Sequence, residues 1–145
     1  MPIVTKVEDL MAKEVITVNL EDTIKKADDL MHQENIKQIP VIDEGKLIGV
    51  ITERNIMEYT LKKLYDADDD FGDDGYNNII DFEKIMSKNV NLIYPEDSIK
   101  KAVEIMVKKK VDFLPVVDWE NNLVGMITSH DVLMFFHKKF IEGKL

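Results

Sequence analysis

A chain of 145 residues, 45% apolar and 32% charged, is long enough to bury a core and too apolar to be intrinsically disordered. It has no cysteine, which excludes disulfides, thiolate metal sites and cysteine nucleophiles, and no apolar run approaches the roughly 18 residues that span a bilayer. The net charge of -9 is concentrated in Asp66, Asp68, Asp69, Asp70, Asp73, Asp74 and Asp81 with no base among them, and no basic stripe with interleaved aromatics speaks for nucleic acid.

In chain order, the start "MPIVTKVEDLM" lacks the basic and long apolar regions of a secretory signal, so a cytoplasmic, soluble protein is expected. A β-rich run follows at Val15–Val18, and then Asp22-Thr23 offers a side-chain oxygen to cap a helix. Ile24, Ala27, Leu30 and Met31 recur at helical spacing on one face. The apolar runs Ile39–Ile42 and Leu47–Ile51 read as strands joined by a polar turn. A helix is predicted from just after Thr52, with Met57, Leu61 and Leu64 as its apolar stripe.

The same order then returns. Val90–Tyr94 repeats the first strand, and Asp97-Ser98 repeats the cap. Ile99, Ala102, Val103 and Met106 repeat the helix face, and Leu114–Val117 with Leu123–Ile127 repeat the strand pair. The final helix, after Thr128, carries Leu133, Phe136 and Phe140. The offset is 75 residues up to Pro40 and Pro115 and 76 beyond them, because "DWENN" replaces "DEGK" at a predicted hairpin tip, where insertion costs little. The expected class is α/β (α+β): two β-α-β-β-α repeats packed sheet to sheet with pseudo-two-fold symmetry. Their expected limits are repeat 1 at 1–65, an acidic linker at 66–80 and repeat 2 at 81–145.

Each repeat ends its second strand with a matching heptapeptide, "GVITERN" at Gly49–Asn55 and "GMITSHD" at Gly125–Asp131. A helix that starts after the Thr has free backbone N–H groups and the positive end of its dipole there, which suits a phosphate. Asp131 is acceptor-only when ionised and can take both hydroxyls of a ribose. Asn55, in the same place, can accept one hydroxyl but lacks the charge. The alternative is that Thr52, Thr128, Asn55 and Asp131 serve only to cap their helices.

"IKQIPVIDEGKLIGVITERN" and "VDFLPVVDWENNLVGMITSHD", preceded by "EDTIKKADDLM" and "EDSIKKAVEIM", resemble the cystathionine-β-synthase (CBS) domain family in tandem, the Bateman module. The resemblance covers nearly the whole chain apart from the linker and the extreme ends. It implies a regulatory, non-catalytic module with no cofactor. Such a module senses an adenosine-type nucleotide (AMP, ADP, ATP or S-adenosylmethionine) in clefts between the repeats, and it is commonly a homodimer that acts on an effector protein.

The resemblance also implies site positions. In repeat 2 these are Asn91, whose backbone would read the adenine edge, the base-pocket residues Val111, Asp112, Phe113 and Pro115, and then Thr128, His130 and Asp131. In repeat 1 they are Ile16, Ile36, Lys37, Gln38, Pro40, Thr52, Arg54 and Asn55, expected to form the weaker site. Phe113 packs either against a purine or into the core. Arg54 and His130 contact either ligand or solvent.

"DFGDDGYNNIID" copies part of a calcium loop but has Gly72 at the third place and Asn77 at the eighth, so an ordinary linker is expected. Weak divalent-cation binding by its carboxylates stays open. "VLMFFHKKFI" is apolar on more than one side and is expected at an interface, whereas Trp119 is expected to be half exposed. No paired carboxylates, Ser-His-Asp order or metal-ligand spacing is readable, so no catalytic or metal residue is expected. The alternative function is a ligand-free dimerisation or interaction module.

Overall fold

The computed structural model describes residues 5–65 and 83–144. Its elements are α1 (Val7–Leu10), β1 (Val18–Asn19), α2 (Ile24–Glu34), β2 (Gln38–Asp43), β3 (Lys46–Thr52), α3 (Glu53–Tyr65), α4 (Ile99–Lys109), β4 (Phe113–Val117), β5 (Leu123–Thr128) and α5 (Ser129–Ile141). This is the α+β class read from the sequence, and the linker and its calcium-loop variant lie outside the described residues.

The chain divides into two compact units, Ile16–Val90 and a second made of the residues up to Val15 with Asn91–Leu145. In the first unit β1 runs parallel to β2, and β2 runs antiparallel to β3. Glu44 and Gly45, both with positive φ, close the β2–β3 hairpin, the conformation that matches strand twist in a two-residue turn. In the second unit β4 and β5 pair antiparallel. There the longer turn is held by Asp118, whose carboxylate accepts from the Glu120 and Asn122 N–H groups, each at 2.9 Å.

Thr23 and Ser98 cap α2 and α4 by accepting the Lys26 and Lys101 N–H groups, both at 3.1 Å. Both helices end on a left-handed residue, Asn35 and Lys110. The faces predicted from spacing are the buried ones: Ile24, Ala27 and Met31 in α2, Ile99, Ala102 and Met106 in α4. They join Val18, Ile39, Val41 and Ile51 in one core, and Val7, Ile93, Leu114, Val116 and Ile127 in the other. Each fully buried aliphatic side chain contributes about 1.5–3 kcal/mol relative to exposure.

Three expectations are corrected. The first strands are shorter than predicted: β1 is two residues, and its counterpart is the single bridge Ile93–Val116. Pairing starts only at Val18 and Ile93, and it stops almost at once, since Asp22 accepts the Asn19 N–H at 2.8 Å and Asp97 accepts the Tyr94 N–H at 3.0 Å, turning the chain out of the sheet. The apolar stripes assigned to the last helices are mostly their outward faces. Met57, Leu61, Leu64, Leu133 and Phe140 are exposed, and Ile56, Tyr59 and Val132 are buried, with Phe136 packed against the core. Finally, Trp119 is 77% exposed and stacks on Tyr94 with ring centroids 4.3 Å apart.

The segments that precede the first strands do not follow the sequence repeats. Ala12 and Met126 exchange backbone hydrogen bonds (2.8 and 2.9 Å), so the N-terminal strap pairs with β5. Ser87 and Val50 exchange the same pair (2.8 and 2.9 Å), so the segment after the linker pairs with β3. Close approach explains why both heptapeptides begin with glycine. A Cβ on Gly49 would lie 2.8 Å from the Ser87 carbonyl oxygen, and one on Gly125 would lie 2.6 Å from Met11 Sδ. The sequence marks the two segments as equivalent, Met11-Ala12-Lys13 over Met86-Ser87-Lys88 at the same offset of 75, but not which strands they join.

Candidate functional site

In both repeats the strand-to-helix turn closes on itself. Thr128 Oγ1 accepts the Asp131 N–H at 3.2 Å, while Asp131 Oδ2 accepts the Thr128 N–H at 2.9 Å. Thr52 Oγ1 accepts the Asn55 N–H at 3.0 Å, while Asn55 Oδ1 accepts the Thr52 N–H at 2.9 Å. These are reciprocal capping boxes, with Asp or Asn doing the work usually given to Glu. Ile51 and Ile56 flank the first box and Ile127 and Val132 the second, each pair sharing a core across the helix entry. That staple sets the rotation of α3 and α5.

The capping explanation of Thr52, Asn55, Thr128 and Asp131 is therefore realised, and it consumes only part of each side chain. Asp131 keeps Oδ1 and Asn55 keeps its Nδ2 amino group, with no further partner among the described residues and neither buried. The helix-start N–H groups are less available than expected. Ser129 donates to the Asp112 carbonyl at 2.7 Å and Glu53 to the Lys37 carbonyl at 2.8 Å, leaving fewer donors for a phosphate.

Those same bonds, with the Gln38–Thr52 and Phe113–Thr128 cross-strand pairs, bring the residues before the prolines beside the turns. Lys37 and Gln38 join Thr52 and Asn55; Asp112 and Phe113 join Thr128 and Asp131. Ile36 and Val111 pack partly against the two cores, and Phe113 is half-buried at the start of β4. Pro40 and Pro115 are buried within their strands. Ile16 and Asn91 each lie two residues before the first paired residue, Val18 and Ile93, and take no part in the ladders. Arg54 is 85% exposed and donates from Nε to Glu58 at 3.0 Å; His130 is exposed.

In the second unit an open groove of about 1010 Å³ runs along α5. Asp9 and Leu10 of the strap form one wall; His130, Asp131, Met134 and Phe135 form the other, which continues past Lys138. Asp9 and Leu10 carry no signal of this in the sequence, because only strap pairing places them there. His32, on α2, has its imidazole pKa raised above 6.5 by its bond with the Asp28 carbonyl (2.8 Å) and by the Asp28 charge. Among the described residues no cluster of His, Asp and Glu is suited to a metal, and no helix is long and apolar enough to cross a membrane.

A family model for the CBS domain matches residues 7–62 and 82–138. The chain is similar to the CBS domain-containing protein YhcV of Bacillus subtilis, 33% identical over 128 residues that cover 88% of this chain and 83% of that one. It is 34% identical over 133 residues to an inosine-5'-monophosphate dehydrogenase of Methanocaldococcus jannaschii, covering 90% of this chain and 23% of the enzyme. The chain also spans only 22% of a homoserine O-acetyltransferase of Methanosarcina acetivorans that it matches. Among solved structures, the CBS domain pair of protein MJ0100 superposes with a TM-score of 0.74 at 28% identity, covering 94% of this chain and 98% of that one. That pair was solved in complex with 5'-methylthioadenosine and S-adenosyl-L-methionine.

Proposed function

The chain belongs to the CBS domain family, and on that premise we propose that it is a regulatory, non-catalytic module that senses an adenosine-type ligand. Asp131 carries the reading: its Oδ2 is committed to the Thr128 N–H, which orients the carboxylate and leaves Oδ1 to accept from ribose hydroxyls. The adenosine-type ligands of the MJ0100 pair support the ligand class. AMP, ADP, ATP, S-adenosylmethionine and 5'-methylthioadenosine are the candidates. Asn91, Val111, Asp112, Phe113, Pro115 and His130 complete the proposed repeat 2 site, and the repeat 1 positions named above form the weaker one. Bound ligand alters an effector protein only through its differential affinity for two states of the module.

A thermal-shift panel of those five ligands tests the reading. One that saturates at about 100 times its Kd adds roughly 2.7 kcal/mol of stability. A panel in which none raises the melting temperature rejects it.

The exposed apolar residues of α3 and α5 favour a second, compatible reading: a homodimer built on these faces, in the cytoplasm. Met57, Leu61 and Leu64 on α3 and Leu133, Met134 and Phe140 on α5 would then be covered. Light scattering on a Leu133→Glu/Phe140→Glu variant tests it: a wild-type dimer that becomes monomeric supports it, and a monomeric wild type rejects it.

A further inference from the structure

Repeat 2 carries a pair of aromatic rings at its hairpin that repeat 1 does without. Trp119, at the tip of the β4–β5 turn, stacks on Tyr94 with ring centroids 4.3 Å apart and planes 16° apart. At the matching places in repeat 1 stand Asn19 and the turn Glu44-Gly45, and that hairpin closes without an aromatic residue. The fold of the repeat therefore does not require the pair. Both rings stand on fixed backbone. Tyr94 follows Ile93, which bridges Val116, and its N–H donates to the Asp97 carboxylate at 3.0 Å. The Trp119 turn is held by Asp118, which accepts from the Glu120 and Asn122 N–H groups at 2.9 Å each and from the Asn122 side-chain amide at 3.0 Å. Tyr94 covers one face of the indole. Trp119 remains 77% exposed, so its opposite face meets solvent. A ring held in this way loses little freedom when a partner covers it.

The residues beside the rings are acids. Glu96 lies two residues beyond Tyr94, and Glu120 follows Trp119. Glu8 is brought to the same rim by its N–H, which donates to the Pro95 carbonyl at 3.0 Å. All three are exposed. The bases Lys6 and Lys101 stand at the cap of α4 instead, where Lys6 bridges Ser98 and Lys101 pairs with Asp97 at 3.4 Å. The negative face of an indole and the carboxylates around it both attract a cation, and both disfavour a phosphate-bearing partner.

We propose that the Trp119–Tyr94 stack is a docking surface for an arginine-bearing segment of a partner protein, with the guanidinium laid on the open indole face and Glu8, Glu96 and Glu120 around it. Arginine suits the surface better than lysine, because a flat guanidinium stacks on the ring while its N–H groups donate to carboxylates at the rim. The indole gives the position and the acids give the charge preference. The surface lies wholly within the second unit and does not depend on the adenosine-type ligand reading.

Trp119 is the sole tryptophan of the chain, so its indole N–H resonance reports from this surface and no other. The test titrates the ¹⁵N-labelled full chain with an acetylated and amidated Gly-Arg-Gly-Arg-Gly peptide, and with the same peptide carrying citrulline, the neutral analogue of arginine. The arginine peptide is expected to move the indole resonance and to bind about fivefold tighter than the citrulline peptide, the scale of one exposed cation–π contact. Trp119→Ala is expected to weaken the arginine peptide about tenfold, read from the Tyr94 and Glu120 amides, and Glu8→Gln with Glu96→Gln to weaken it less. All three substitutions fall on exposed side chains, and melting curves verify that the variants fold. Equal affinity for the two peptides, or an affinity unchanged by Trp119→Ala in folded protein, overturns the proposal. So does an arginine peptide that shifts only the amides of 66–81, whose seven aspartates are the competing cation surface. An indole resonance that moves with protein concentration alone assigns the rings to a second copy of the chain and overturns it too.

Discussion

Met11 Sδ lies 2.6 Å from the point a Cβ on Gly125 would occupy, and the Ala12 carbonyl oxygen lies 2.9 Å from it. The N-terminal strap thus reads the absence of a side chain on β5. Gly125→Val should destabilise the fold by about 1–3 kcal/mol, because the strap backbone must move and its paired bonds with Met126 are strained. Urea unfolding measures the loss, and hydrogen exchange should show the Ala12 amide losing protection first. Unchanged stability would place the strap elsewhere in solution.

Thr128→Ala and Thr52→Ala remove the same half of two equivalent boxes. Each should cost about 1 kcal/mol, the usual loss for an N-cap hydroxyl. Asn55→Asp retains the bond to Thr52 N–H and adds a negative charge in the first turn of α3, so it should stabilise by about 0.3–1 kcal/mol. Denaturation midpoints of the three variants test the caps without reference to any ligand.

Asp131→Ala should weaken an adenosine-type ligand by tenfold or more, the scale of one charge-assisted hydrogen bond, and Asn55→Ala should weaken it less. Isothermal titration calorimetry on both variants decides the order. Equal losses would remove the ranking of the two turns.

His32 provides a pH signature unrelated to the ligand. Its folded pKa is raised by the Asp28 carbonyl and then by the Asp28 charge, so the protonated form is favoured in the folded protein. The resulting stabilisation is fully present below the unfolded value of 6.5 and is lost as pH rises through the higher folded value. An NMR titration should place the His32 midpoint above 6.5, and His32→Gln should abolish that part of the pH dependence of melting. A midpoint at or below 6.5 would contradict the geometry.

Much of this architecture follows from local chemistry. The two-fold repeat, the caps at Thr23 and Ser98, the core faces of α2 and α4, the hairpins and the Thr-led turns are all written in short-range spacing, because caps, turns and helix faces depend on residues within a few positions of one another. Three features needed the tertiary structure. The rotation of α3 and α5 could not be read from apolar spacing, since both helices carry apolar residues on more than one face, and it was decided by the Ile51–Ile56 and Ile127–Val132 staples. The strap at Ala12 and the segment at Ser87 find their strand partners across long stretches of chain, which no local pattern encodes. The difference between Asp131 and Asn55 was the last: the sequence determined which residue stands at each turn, but only the paired Thr N–H decided which atom of it is spent on the cap and which is left over.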